Sequence, residues 1–328
     1  MNRMQTKYAG LELKNPLIIS SSGLTNTSQG VLKLEKAGAG AVVLKSIFED
    51  QINQMLNNSA EAQENPDVLE FIRAYSEEHS LAEYSKLIKD CKDLCKIPII
   101  ASIHCHSEGS WAKYAQQFED AGADAIELNI AIMNTSREPI DVEGLHVRIL
   151  KSVCENVTIP VIAKIGDNYA NLVSLVELLH KNGAAAVTMF NRFYQPDINI
   201  IKQTFTAGNV FSNAEMLPNT LRWTAIINGA MPELELSAST GVHDWEAAVK
   251  LMLAGATTVQ LCSAVYQQGE IIISEIVTCI EEWMIQKEYN EISDFRGKLN
   301  YKNIPDPSAY ERTQFMKYFA KRKPNINQ

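Results

Sequence analysis

DAGADAIELNI, residues 120–130, sets a glycine behind a helical pattern, adds small residues, and runs straight into an apolar stretch. A glycine placed so ends a helix, and the stretch after it is short enough to be a strand. The same phrase returns as KAGAGAVVL (36–44), KNGAAAVTM (181–189) and LAGATTVQL (253–261). Four uses of one helix-to-strand turn indicate a repeated α/β unit. Counting outward gives eight short runs of strand character: LIIS (17–20), AVVLKS (41–46), IPIIASI (97–103), AIELNI (125–130), IPVIAKI (159–165), AAVTMF (185–190), LELSAS (234–239) and TTVQLCS (257–263). Helical patterns such as LVSLVELLHKNG (172–183) and WEAAVKLMLAG (245–255) lie between them. Near-continuous apolar strands alternating with helices predict a parallel sheet covered on its outside, and eight units predict a (β/α)8 barrel. A doubly wound open sheet would present GxGxxG after the first strand, and none is there.

Composition narrows the function classes. The 328 residues are 46% hydrophobic and 21% charged, which fits one barrel domain over 1–328 with a C-terminal extension from about 305. A formal charge of −9 repels phosphate backbones and argues against a nucleic-acid partner. The sequence has no apolar run of membrane-spanning length, and MNRMQTKYAG lacks a signal-peptide core, so a soluble cytoplasmic protein without a membrane partner is expected. Six scattered cysteines suit reduced thiols, and Cys91 and Cys95 have helix-packing rather than metal spacing; no metal site is expected.

In a barrel the strand C-termini carry the chemistry. Here they present Ser21, Ser22 and Gly23; Lys45 and Ser46; Ser102 to His106; Asn129 to Asn134; Lys164; Asn191; Ser239 to Gly241; and Cys262 with Ser263. The turns ASTGVHDWEAA and LCSAVYQQG run small residues into a helix, which suits either a phosphate or simply a tight turn. Lys45 and Lys164 each follow a hydrophobic strand and need a partner: a flavin pyrimidine ring, a substrate carboxylate, a Schiff-base carbonyl, or a barrel carboxylate such as Glu127.

NPLIISSSG (15–23), GAGAVVLKS (38–46), IPIIASI, ADAIELN, IPVIAKI, VTMFNR, STGV (239–242), GATTVQLCSAVYQQG (255–269) and DFRGKL (294–299) follow one another as blocks do in the dihydroorotate dehydrogenase family, which the chain resembles from about residue 5 to 300. That resemblance implies an FMN-binding barrel that oxidises dihydroorotate to orotate, a small-molecule substrate, and a homodimer. It implies that Ser21, Ser22 and Gly23 pack on the flavin and that Lys45 and Ser46 touch flavin and substrate. It further implies that Asn129, Lys164 and Asn191 bind the ring and ribityl chain, that Gly241, Cys262 and Ser263 form the phosphate turns, and that Asn129, Asn134 and Asn191 face substrate. The usual GTGG is weakened to ASTG, and the usual Gly-Thr to Cys-Ser.

The chain departs from the family at IELNIAIMN (126–134). The family pattern ELNLSCPN carries its base at the place of Ile132, which cannot accept a proton. Expected stand-ins are Ser136, if its loop folds inward, and His104, Cys105 or His106 at the third strand's rim. The segment Ile130 to Met133 is expected to wall the flavin pocket. The stretch after the second strand, residues 47–80, is acidic and lacks the family's asparagine-rich orotate clamp, so it reads as a rebuilt lid. The resulting expectation is an FMN oxidoreductase on dihydroorotate or a dihydropyrimidine-like compound. Its alternatives are a Schiff-base lyase on Lys45 or Lys164 and a flavin-binding protein that has lost catalysis.

Overall fold

The computed structural model describes residues 3–48, 66–105, 108–109, 111–135 and 137–312. Eight parallel strands close on themselves: β3 (Leu17–Ile19), β4 (Ala41–Val43), β6 (Ile99–Cys105), β7 (Ala125–Ile130), β8 (Val161–Ile165), β9 (Ala186–Met189), β12 (Glu235–Ser239) and β13 (Thr258–Leu261). The order runs β4-β3-β13-β12-β9-β8-β7-β6, and β6 returns to β4 through Val42↔Ile99. The barrel read from the repeated turn is therefore the fold.

Around it lie α1 (Ser28–Lys36), α2 (Pro66–Leu94), α3 (Trp111–Asp120), α4 (Val142–Cys154), α5 (Leu172–Lys181), α6 (Leu217–Ala230), α7 (Trp245–Ala254), α8 (Ser263–Gln268), α9 (Ile271–Gln286) and α10 (Ser308–Glu311). Alternation assigns each strand's two faces. Ile126, Leu128 and Ile130 of β7 join the large core shared with the helices, while Ala125 joins the barrel's own interior with Ile18, Ala41, Val43, Ile100, Ile162 and Ala186. The hairpin β1 (Thr6–Tyr8) and β2 (Leu11–Leu13) closes the lower end, putting Tyr8, Ala9 and Leu13 into that interior cluster.

The second strand is shorter than AVVLKS suggests. Pairing stops at Val43 and resumes only at β5 (Ile47–Phe48). The backbone between them turns toward the loop after β3: Lys45 N donates to the Thr25 carbonyl at 3.2 Å, and Ser46 N to the Ser21 hydroxyl at 2.8 Å. The acidic segment read as a lid is helical from Pro66 onward. Proline opens α2, and no glycine or proline follows until Pro98. Leu81, Tyr84, Ile88 and Cys91 then fall at helical spacing onto the core. A second hairpin, β10 (Pro196–Asn199) with β11 (Thr204–Ala207), emerges beyond β9 and has no counterpart in the sequence reading. Residues 49–65 of the expected lid and 313–328 of the C-terminal extension lie outside the described residues.

Candidate active site at the barrel mouth

Above the apolar plug the barrel interior turns polar. Inward positions two residues apart along each strand carry Ser102, Glu127, Lys164, Thr188, Ser237, Thr258 and Gln260, all buried. Lys164 Nζ donates to Ser20 Oγ at 3.0 Å, to Gln260 Oε1 at 3.1 Å and to Glu127 Oε1 at 3.2 Å. The other carboxylate oxygen of Glu127 accepts from Gln260 Nε2 at 2.8 Å and from Thr188 Oγ1 at 3.2 Å. Every charge in this layer therefore has its hydrogen bonds, which is what lets an ion pair survive without water. The carboxylate partner weighed for Lys164 is present, and an ammonium held by three acceptors is poorly placed to act as a Schiff-base nucleophile.

One step higher, register aligns His104 with Asn129 and Asn129 with Lys164 on three adjacent strands. Asn129 is buried, yet its Oδ1 accepts no hydrogen bond from any described residue. A buried amide oxygen without a donor is costly by about 1–3 kcal/mol, so this atom is built for a donor from outside the chain. Lys45 lies half-buried where the chain leaves β4, and it makes no ion pair among the described residues. Asn191 is half-buried at the end of β9, its N–H on the Ile165 carbonyl at 2.8 Å.

The serines of the first two loops are joined side to side. Ser21 Oγ lies 3.0 Å from Ser46 Oγ, and Ser46 Oγ lies 2.8 Å from Ser102 Oγ. Tyr84 of α2 closes the chain, its hydroxyl accepting from Ser102 N at 2.9 Å. Burial drives the Tyr84 hydroxyl above its ordinary range, so it stays protonated. Ser22 caps the short helical turn Gly23–Thr25 by accepting from Leu24 N. A Cβ at Gly23 would stand 2.7 Å from the Tyr266 hydroxyl, so that ring would have to swing aside.

At the opposite side, Thr240 and Gly241 both adopt left-handed backbone, at φ +83° and +86°. A β-branched residue there is strained by about 1–3 kcal/mol. Thr240 is held by its hydroxyl donating to the Phe190 carbonyl at 3.1 Å and by its carbonyl accepting from Thr220 at 3.2 Å. The Ser263 hydroxyl accepts from Ser212 N at 2.9 Å, and Ser212 Oγ sits 3.1 Å from His243 Nε2, so Ser212 ties the last two loops together. Cys262 points toward Ser22 and Lys164. Burial pushes its thiol up, against the opposing pull of those two neighbours, so it is a neutral packing group.

The apolar segment after β7 divides. Ile132 is 4% exposed and packs into the large core, with its carbonyl accepting from Asn168 Nδ2 at 3.4 Å. Met133 is 57% exposed, so the four residues expected to wall the flavin pocket split between buried Ile130 and Ile132 and an exposed Met133. Asn134 is exposed and its amide donates to the Glu138 carbonyl at 3.1 Å, turning along its own loop. Ser136 and His106, and the side chain of Cys105, lie outside the described residues. Ser20, Gln260, Thr188, Tyr84 and Ser212 were not singled out from sequence. A glutamine within TTVQL was the legible signal, since a buried strand carries one only where the interior is polar.

Beneath this loop His146 is fully buried on α4. Its Nδ1 bonds the Val142 carbonyl at 2.7 Å, and its Nε2 accepts from the Tyr169 hydroxyl at 2.9 Å. Burial lowers the His146 pKa, and it pushes the Tyr169 hydroxyl up to about 12. A histidine with a depressed folded pKa binds its proton more readily when unfolded, so stability is full above the unfolded value near 6.5 and is lost as pH falls through the folded one. Urea unfolding at pH 7.5 and pH 5.5 should show that loss in the wild type and a smaller one in His146→Gln. Equal losses in both would remove His146 as the cause.

With this geometry in place, comparison with known proteins decides the kinship. The dihydroorotate dehydrogenase family model matches residues 3–284. The chain belongs to that family. A dihydroorotate dehydrogenase B (NAD(+)) catalytic subunit from Methanosarcina acetivorans is 29% identical over 304 residues, covering 88% of this chain and 93% of that one. The corresponding catalytic subunit from Thermoplasma volcanium is 24% identical over 308 residues, covering 90% and 98%. The NAD-dependent dihydropyrimidine dehydrogenase subunit PreA of Escherichia coli K12 is 24% identical over 322 residues, covering 91% of this chain and 77% of that one. Membership makes the chain a member of a flavin-dependent oxidoreductase family whose relatives act on CH–CH bonds. Among the described residues no helix is long and apolar enough to cross a membrane.

Proposed function

We propose that this protein is a cytoplasmic FMN-dependent oxidoreductase acting on dihydroorotate or a related dihydropyrimidine-like ring, with a substrate pocket rebuilt around Ile132. The observation that carries this reading is the donorless, buried Asn129 Oδ1 at the barrel mouth, level with the Lys164 ammonium. An amide acceptor beside a fixed cation fits a flavin pyrimidine edge, which offers ring N–H donors and takes negative charge on reduction. Bound there, FMN would supply a two-electron acceptor for hydride from a substrate carbon.

The chain's own groups divide the remaining work. Glu127 and Gln260 hold Lys164 so that one positive charge stays fixed at the mouth, and Lys45 adds a second cation that makes no ion pair among the described residues. The Ser21–Ser46–Ser102 chain fixes the β3 and β4 loops over which a flat ring can lie. Thr240, Gly241 and Ser263 are proposed for the phosphate end, where Ser212 already engages the Ser263 hydroxyl. The activities named for the similar proteins, on dihydroorotate and on dihydropyrimidines, support a reduced pyrimidine as substrate class. A second reading rests on Ile132 itself: a buried hydrocarbon at the base position favours a flavin-binding protein that no longer oxidises dihydroorotate.

The visible spectrum of the purified protein tests the cofactor, and anaerobic addition of dihydroorotate tests the reaction. Flavin absorption that bleaches supports a relocated base; absorption that persists supports an altered substrate or lost catalysis; a colourless protein that takes up no added FMN sinks the proposal. Asn129→Leu should weaken FMN binding about tenfold, the equivalent of one lost hydrogen bond near 1.4 kcal/mol. Fluorescence titration of the FMN-free protein measures it, and unchanged affinity would remove Asn129 from the flavin site.

A further inference from the structure

Both polar groups of the Ile132 residue are met by side chains of one loop, the turn that follows β8. Asn168 Nδ2 donates to the Ile132 carbonyl at 3.4 Å, and the Ile132 N–H is directed at the Tyr169 hydroxyl oxygen, where it opposes the upward push of burial on that phenol. The loop is itself pinned on both sides. Asp167 accepts from Asn219 Nδ2 of α6 at 2.8 Å, and Asn171 caps α5 by accepting from Ser174 N at 3.1 Å. Behind Tyr169 stands His146 of α4, edge-on with ring centroids 5.0 Å apart.

The proton count at the Tyr169 oxygen decides how firmly this holds. The His146 Nδ1 hydrogen is committed to the Val142 carbonyl at 2.7 Å, so the neutral ring's Nε2 is an acceptor and takes the Tyr169 O–H at 2.9 Å. The lone pairs of the phenol then remain for the Ile132 N–H. A proton added at Nε2 turns that nitrogen into a donor aimed at the same oxygen, so three hydrogens converge on one atom and the phenol hydrogen loses the acceptor it had. Buried polar groups do not keep such an arrangement without moving. The charged groups on the elements packed around His146 are Glu143 and Arg148 on α4, Lys113 and Glu119 on α3, Glu177 on α5 and Asp167 after β8. None of them is among the influences on His146, which are burial first and the Val142 carbonyl second, so Tyr169 is the titratable group that faces it.

We propose that His146 and Tyr169 form a pH-operated latch on the segment after β7, closed while His146 is neutral and released when it gains a proton, with Tyr169 as the positioning residue. Burial of His146 places the release below the ordinary histidine value of 6.5. The released segment carries Ile132 and Asn134, which the proposed oxidoreductase sets on the substrate side of the mouth, so on that reading acid lowers turnover while the flavin stays bound. That consequence rests on the proposed function. The latch itself does not, because its three hydrogen-bonding partners belong to the chain alone.

Amide hydrogen exchange of the full-length protein, read by NMR at Ile132 and at Leu128 inside β7 and corrected for the intrinsic effect of pH, tests the latch without substrate. As pH falls from 7.5 to 5.0 and the His146 ring resonance titrates, protection at Ile132 should drop about tenfold or more while Leu128 keeps its own. His146→Gln cannot titrate and should hold Ile132 protection constant over that range, whereas Tyr169→Phe should lower it equally at both pH values. Protection at Ile132 that ignores the titration of His146, that falls together with Leu128, or that keeps its pH dependence in His146→Gln overturns the proposal. So does a His146 ring that takes up no proton before the protein unfolds. If Tyr169→Phe does not fold, the wild type and His146→Gln decide the matter. A working latch in a protein that takes up no FMN would leave this inference standing and sink the oxidoreductase reading, so the two failures are told apart.

Discussion

Replacement of Glu127 by alanine is expected to destabilise the fold by about 3–5 kcal/mol, the usual consequence of removing one partner from a buried ion pair. Glu127 and Lys164 lie 3.2 Å apart with side chains 1% and 6% exposed, inside a barrel whose floor is hydrocarbon. The carboxylate also takes hydrogen bonds from Gln260 and Thr188, so alanine leaves an ammonium and two neutral donors to rearrange. Ser20 and Gln260 still accept from Lys164, which limits the loss but supplies no opposite charge. A loss of this size is a large fraction of a domain's ordinary 5–15 kcal/mol. The decisive control is Glu127→Met with Lys164→Met. Both charges are then gone and their volume is kept, so the double variant should recover most of the stability lost by the single one. Guanidinium unfolding measures all three proteins. A single-variant loss below about 1 kcal/mol would show that water or another group screens Lys164, contrary to the burial seen here.

That pair also shows where sequence reading succeeds and stops. The barrel was legible because its determinant is local: DAGADAIEL and its three repeats each write a helix stop and a buried strand within ten residues. Strand ends also named Lys45, Asn129 and Lys164, since alternation fixes which residues face inward. What alternation cannot give is which inward residues meet across the barrel. Gln260 reaches Glu127 over 133 positions of chain, and Ser46 reaches Ser102 over 56, through closure of the sheet alone. The second hairpin was missed for another reason. QPDINIIKQTFTA alternates imperfectly and exposes its apolar side, so no burial rule marks it as a strand pair. The helix from Pro66 is a feature that the reading of residues 47–80 as an acidic lid left unstated, although the lack of breakers up to Pro98 is its signal.

Ile132→Cys should accelerate flavin reduction by dihydroorotate by a factor on the order of 10² to 10⁴, the range a positioned general base contributes to proton abstraction. Taking a hydride from one carbon of a saturated ring requires a proton to leave its neighbour, and on the proposed reading, with Ile132 at the base position, hydrocarbon there offers no acceptor. Ile132 sits two residues beyond the end of β7, with the strand register behind it and its carbonyl tied to Asn168, so the backbone is fixed before the side chain is chosen. The substitution removes buried hydrocarbon and should lower stability by roughly 1–3 kcal/mol, within what a folded barrel tolerates. Burial also raises a thiol's pKa, so the gain should grow as pH rises from 7 to 9 and the thiolate fraction increases. Stopped-flow bleaching of the anaerobic flavoprotein reads both the size of the gain and its pH dependence. Ile132→Ala separates the base from mere space: it opens the same room without a proton acceptor and should stay at the wild-type rate. Equal acceleration by alanine would make the defect steric. A folded, flavin-loaded cysteine variant with no acceleration would show that the pocket no longer accepts dihydroorotate at all, and the substrate would then have to be sought among reduced rings that fit beneath an isoleucine.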